Sequence, residues 1–437
     1  MSHHDAIVVG IGVAGLTAAV RLAEGGARVL VLAKGVGATH LAPGTIDVLG
    51  YDPDPVDRPL DAVRALVQAR PDHPYAAVGP EAIAPAADWL KAAFADGPLA
   101  PYAYEGSVED NLRVPTAVGV PRPSAVVPRT LAGGDLRDGG RICVVGFRAL
   151  KDFHALLCAD NLSRLAGIEA RGLELDLVPE RRVDANELGF ARGFDDPAFR
   201  SEVVALLASR LRGDERVAFP AVLGLADPHG VWSDVQAKLG HPVFEIPTLP
   251  PSVPGMRLFA TLRERLRRAG GKVLLNNVVT GAQRAGDRVT GVRSRAGLRE
   301  TVHGADWVVL ASGGFASGGV ELGSSWTGRE VALGLPVRGI PEVGAERFRP
   351  AYFDDHPIAR AGVAVDGEQR PVDASGARAA ENVLVAGATL AGAEPWREKS
   401  GDGLSLSTGH RAAGLILESV SRSARPAAPA PATTTGG

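Results

Sequence analysis

IVVGIGVAGLTAAVRLAEGGARVLVLAKG, residues 7–35, decides how this chain is read. An apolar run is followed by Gly10, Gly12 and Gly15 in the spacing G-x-G-x-x-G, then by helical periodicity over 14–22 and a second apolar run at 28–32. Strand, helix and strand in so short a stretch form a unit that cradles a phosphate. Gly10 allows the tight turn, Gly12 lets the backbone approach a pyrophosphate, and Gly15 lets the helix sit close to the sheet. The amides opening that helix, and its dipole, attract the anion. Where such units usually carry a carboxylate for an adenosine ribose, this chain has Ala33, followed by Lys34. Losing hydrogen bonds to a charged acceptor weakens a dinucleotide by about 10- to 100-fold and leaves the pyrophosphate contacts. The gap therefore favours a ligand without an adenosine half and does not exclude one that has it. Lys34 is either a solvated lysine at the strand end or a phosphate contact.

The 437 residues are enough for two domains around sizeable cores. A formal net charge of −3 provides no basic field for nucleic acid. Cys143 and Cys158 are too few for an iron–sulfur cluster and too far apart for a C-x-x-C pair, so they read as two buried thiols, and no metal site is expected. No stretch approaches the ~20 apolar residues of a membrane span, and the N-terminus runs straight into a strand without the marks of a signal peptide.

Outward from the opening motif, residues 35–50 read as a loop and 61–69 and 81–94 as helices. From residue 141 alternating strands and helices suggest an α/β insert. Residues 245–255, EIPTLPPSVPG, read as a stiff extended connector before a helix at 256–269. The expected architecture is α/β: a discontinuous Rossmann-like flavin-binding domain (1–60, 255–330 and 380–424) with a second, inserted α/β domain (61–254). A cap or substrate-side segment follows at 331–379, and 425–437 is a low-complexity tail expected to be disordered.

Further glycine clusters close later apolar runs: LASGGF at 310–315, VAGATLAG at 385–392, and SGDGLSLSTGH at 400–410 before a helix over 408–420. A nicotinamide needs one phosphate turn. A flavin is long and flat, crosses several strand ends, and needs small residues wherever backbone amides approach it. The candidate cofactor contacts are Gly10, Gly12, Gly15, Lys34, Thr39, Gly44, Thr45, Ala311, Ser312, Gly313, Gly387, Gly403, Leu404 and Ser405. Residues 403–407 are placed as a loop that leads a helix N-terminus toward the ring.

HLAPGTIDVLG (40–50), HPYAAVG (73–79), ICVVGF (142–147), LGLAD (223–227), PTLPPSVPGMRL (247–258), VLASGGFASGG (309–319) and ENVLVAG (381–387) together resemble the B subunit of the anaerobic glycerol-3-phosphate dehydrogenase. The match runs in order along nearly the whole chain outside the tail. It lapses at 398–414, EKSGDGLSLSTGHRAAG, where the family is rich in glycine and cysteine. The resemblance implies a flavoprotein with FMN, FAD being the alternative. It also implies a larger flavin-bearing A subunit and an iron–sulfur C subunit that ties the complex to the membrane. The chain would then be cytoplasmic and peripheral on the inner face of the membrane through its partners. The family reaction oxidises sn-glycerol 3-phosphate to dihydroxyacetone phosphate and sends electrons through quinone toward fumarate or nitrate.

Such chemistry needs a hydride acceptor, a base and a cationic grip on phosphate. His40 and His356 are the candidate bases, against the plain reading of loop histidines. Arg349, Arg360 and Arg397 are the phosphate candidates, against solvated charges. Three readings stay open. The chain oxidises the alcohol or relays a partner's electrons; it is a stand-alone flavin dehydrogenase or reductase related to fumarate reductases; or it is a non-catalytic scaffold.

Overall fold

The computed structural model describes residues 3–179 and 185–424; the tail at 425–437 lies outside the described residues. Strand β1 (His3–Val9), helix α1 (Val13–Glu24) and strand β2 (Val29–Ala33) form the unit read from the opening motif. Alternate residues of these strands enter two cores. Ala6, Val8, Val29, Val31 and Ala33 point to one side, and Ile7, Val9, Leu30 and Leu32 to the other. Both faces are covered, and that is why the strands are apolar throughout.

A second body follows. Strands β3 (Gly140–Phe147), β4 (Ile168–Leu175), β5 (Arg216–Pro220) and β6 (Val243–Ile246) make a parallel sheet in the order β6-β5-β3-β4. Its core includes Ile142, Val144, Phe147, Phe190, Phe194 and Phe219. Cys143 and Cys158 are buried in this body as free thiols. Helix α2 (Val253–Arg268) leads back to the first sheet. It begins earlier than the Pro-rich sequence suggests. Ser252 caps it by accepting the Gly255 N–H at 3.1 Å, and Pro254 falls in the first turn, where proline is tolerated.

Strands β7 (Lys272–Leu275), β8 (Val278–Ala285), β9 (Arg288–Ala296), β10 (Arg299–Leu310) and β11 (Val383–Val385) complete that sheet, and helix α3 (Gly401–Ala424) closes the fold. The parallel part runs β7-β2-β1-β10-β11, and the antiparallel pair β8–β9 joins the first half of β10. This is the doubly-wound order, in which ligands bind beyond the carboxyl ends of the strands where the order reverses, here between β1 and β10. Helices α1, α2 and α3 cover one face through Leu16, Val20, Leu258, Leu262, Leu404 and Ile416.

Two expectations shift. Residues 401–407 are helical, not a loop ahead of a helix at 408. Gly403 lies where a Cβ would stand 2.7 Å from the Asp47 carbonyl oxygen, and a Cβ on Gly409 would strike the Ala14 backbone, so close packing overrides the glycines' poor helix propensity. The two cores also do not part at residue 61. Helices Pro59–Ala69 and Ile83–Ala95 place Leu60, Val63, Leu66, Ile83, Leu90 and Phe94 in the first core, and the second core starts at Leu136.

Candidate functional site

A cleft of about 550 Å³ opens where the parallel strands end. Its lining comes from four separated segments: Gly10, Gly12 and Ala14 after β1; Ala33, Lys34, Gly37, Ala38 and Thr39 after β2; Ala311, Ser312 and Gly313 after β10; and Gly387 after β11 with Asp402 and Ser405 from α3. Short bonds fix these ends against one another. Gly10 N–H donates to the Leu32 carbonyl at 2.9 Å, and Ala311 N–H to the Val9 carbonyl at 2.8 Å. Gly313 N–H donates to Thr389 Oγ1 and Gly387 N–H to Thr408 Oγ1, each at 2.9 Å.

The glycines of the motif do different work. A Cβ on Gly15 would run into the Gly10 carbonyl, so Gly15 is a packing residue. A Cβ on Gly12 would meet no protein atom within 4 Å, because the space beside it is the cleft. Gly12 is the N-cap of α1, makes no side-chain cap, and is followed by no acid in the first turn. The opening amides are thus left for an anion. Thr39 Oγ1 and Ser312 Oγ, both belonging to cleft residues, are buried without a hydrogen-bond partner among the described residues. Orphaned hydroxyls, free amides and small residues along a slot suit a flavin with its phosphates.

Of the sequence candidates, Gly10, Gly12, Lys34, Thr39, Ala311, Ser312, Gly313, Gly387 and Ser405 line the cleft together. Gly44 and Thr45 do not. Gly44, at φ +77°, packs against Pro254, and its carbonyl accepts the Tyr104 hydroxyl at 2.7 Å; Thr45 is fully buried. Gly403 packs on Asp47 and Val48. Leu404 lines a neighbouring cavity of about 910 Å³, which shares Ala316, Ser317 and Ala388 with the cleft. His40 sits with its ring edge-on to Phe259 at 4.8 Å, and burial lowers its pKa. Asp402 was not among the candidates, although it stands as a carboxylate inside the SGDGLS glycine cluster.

The FAD binding domain family matches residues 5–404. A probable B subunit of the anaerobic glycerol-3-phosphate dehydrogenase from Halobacterium salinarum is 34% identical over 438 residues, covering 95% of this chain and 98% of its own. The corresponding protein of Pectobacterium atrosepticum is 33% identical, covering 95% and 99%, and that of Vibrio cholerae 29%, covering 98% and 99%. This chain belongs to the family of anaerobic glycerol-3-phosphate dehydrogenase B subunits. It is a flavin-dependent oxidoreductase subunit. Among the described residues, no helix is long and apolar enough to cross a membrane.

In this member of the B-subunit family the larger cavity is aromatic and apolar, lined by Phe315, Phe348, Tyr352, Ile358 and Trp396 with His356 and Arg349. His356 has both ring nitrogens engaged. Nδ1 accepts the Arg349 N–H at 3.0 Å, which leaves Nε2–H to donate to the Tyr352 carbonyl at 3.0 Å, and the ring stacks on Trp396. The three arginine candidates are paired with carboxylates. Arg349 meets Glu346 at 2.6 Å, Arg360 meets Asp355 at 2.9 Å and Glu394 at 2.7 Å, and Arg397 lies 3.5 Å from Glu394.

Proposed function

We propose that this chain is the flavin-carrying B subunit of a complex that oxidises sn-glycerol 3-phosphate to dihydroxyacetone phosphate, and that its flavin is FAD. The relatives' names support the reaction and the existence of partner subunits. The observation that carries the cofactor is the continuity of one cleft from Ala33 and Ala38, past Gly12, to Gly313, Gly387 and Ser405. FMN would fill only the half beyond Gly12. The opening amides of α1 would hold the pyrophosphate of FAD, and the cleft beside Ala33 and Lys34 would take its adenosine without a ribose-binding acid. Bound there, the flavin supplies two-electron redox chemistry. The chain's own part is to hold it, to keep water from its buried side, and to set the charge around it.

Within that complex we assign to this chain the relay of electrons toward quinone, with alcohol oxidation in a flavin-bearing A subunit. The engaged nitrogens of His356 and the carboxylate-paired Arg349, Arg360 and Arg397 beside the apolar cavity support this division: none of these candidates is a free base or a free phosphate grip. An iron–sulfur C subunit would hold the assembly at the inner face of the membrane. Mass spectrometry of the cofactor released from the purified chain tests the first point: FAD is expected, and FMN alone overturns it. Anaerobic mixing with glycerol 3-phosphate tests the second. The lone chain should stay oxidised, and bleaching of its flavin by the substrate would place the alcohol chemistry here.

A further inference from the structure

Asp402 and Lys34 are the two charged residues lining the cleft among the described residues, and they stand at opposite ends of it. Lys34 is exposed beside the end of β2. Asp402 is half-buried in the first turn of α3, next to Gly387 and Ser405. No hydrogen bond or ion pair ties its carboxyl to another described residue. Behind it, Asp47 is buried and is gripped through Oδ2 by Arg122, while Asp47 Oδ1 has no partner among the described residues. The other ionisable groups that face it are Tyr75 and Tyr104, whose hydroxyls donate to the Val48 and Gly44 carbonyls; Lys399, whose ammonium donates to the Trp396 carbonyl, faces Asp47 and Arg122 behind it. Burial, and after it the negative Asp47, push the Asp402 carboxyl up to about 7, against the pull of Arg122. An acid at this helix end is otherwise favoured as its anion, so the neighbours have reversed the usual preference.

We propose that Asp402 is a positioning residue of the flavin cleft, taking up a proton from water when the flavin is reduced and returning it on reoxidation. The inference rests on the flavin reading above. The two electrons come from the alcohol donor through the complex and leave to the acceptor. No covalent bond of the residue changes apart from its O–H. The cause is electrostatic: electrons added to the flavin put negative charge beside a carboxylate in a low-dielectric cleft, and like charge raises the proton affinity of the acid. A group already balanced near neutrality then changes state within the working pH range. Its proton offsets the new charge and makes the flavin easier to reduce as pH falls.

The test is the midpoint potential of the bound flavin, measured electrochemically across neutral pH in the wild type and in Asp402→Asn. Because Asp402 is already part-protonated at pH 7, the wild type should show a steeper slope than the variant, the extra uptake growing above neutrality toward one proton per two electrons, at most about 30 mV per pH unit. Equal slopes overturn the proposal. Should Asp402→Asn lose its flavin, infrared difference spectra of the wild type decide instead. Reduction should raise a carboxylic acid C=O band that shifts in D2O, and absence of that band overturns the proposal. A wild-type chain that releases no flavin ends this inference and the reading beneath it together. Flavin present with equal slopes ends this inference alone.

Discussion

A Cβ at Gly12 meets open cleft, whereas one at Gly15 meets the Gly10 carbonyl, and this separates two roles the motif alone cannot separate. Gly12→Val should leave the urea midpoint nearly unchanged, since its φ of −70° suits any residue, and should weaken flavin binding about 10- to 100-fold through lost phosphate contacts. Gly15→Ala should cost about 1–3 kcal/mol of stability by overpacking the helix against the turn. Glu398 makes a different residue-scale case. Burial alone would raise its carboxyl, but the contacts from His73, Ser400 and Arg70, at 3.3, 2.9 and 3.0 Å, outweigh it and hold the pKa at about 2, below the ordinary 4.5. A depressed carboxylate contributes stability above its unfolded pKa and loses it as pH falls through the folded value. Between about pH 4.5 and 2 the protein should therefore lose on the order of 3 kcal/mol from this group. Urea unfolding at a few pH values checks this, and Glu398→Gln should flatten that part of the profile.

Helix α2 shows how an element carries the site without lining the cleft. At its start, Pro254 packs under Gly44, and a Cβ on Gly255 would strike the Thr39 carbonyl, so the helix seats the loop that lines the cleft. One turn on, Arg257 is fully buried. Its guanidinium donates to both oxygens of the equally buried Glu245, at 2.7 and 3.1 Å, and to the Leu223 and Gly224 carbonyls. Glu245 also accepts from Thr130 Oγ1 and the Leu223 N–H. Arg257→Met should cost about 3–5 kcal/mol, because it leaves a buried carboxylate without its countercharge, and Glu245→Gln paired with it should recover part of the loss. A denaturant double-mutant cycle measures both. The stretch PTLPPSVPGMRL was legible as distinctive, but this role was not. In sequence Arg257 is one arginine in an arginine-rich helix, and its partner lies on β6 across a long-range contact that no local pattern encodes. The start of α3 was misread for a related reason: Gly401 and Gly403 argue against helix locally, and the close backbone approach of Gly403 to Asp47 and Val48 is a contact distant in the chain.

For the molecule as a whole, the convergence of strand ends was legible because each buried parallel strand is a continuous apolar run closed by small residues, and the doubly-wound order then sets those ends side by side. The boundary between the two bodies was not legible. An amphipathic helix such as Ile83–Ala95 shows that one face is buried but not which core it covers. The division between the bodies also governs where the cofactor stabilises the chain. The cleft is lined by the first body alone, and a flavin bound there would tie together residues 10–14, 33–42, 311–317 and 387–405, which are distant in the chain. Ligand binding to the native state adds about 2.7 kcal/mol at a free concentration 100-fold above Kd, and the gain falls on openings that break the site. Hydrogen exchange should therefore be slower in those four segments together in the flavin-loaded chain than in the flavin-free one, while the β3–β6 sheet, with its own core, keeps its flavin-free rates in local openings. Protection gained equally in both sheets would mean that they open as one unit. Protection confined to residues 10–14 would mean that the cofactor ends at the phosphate turn and never reaches Gly387 and Ser405.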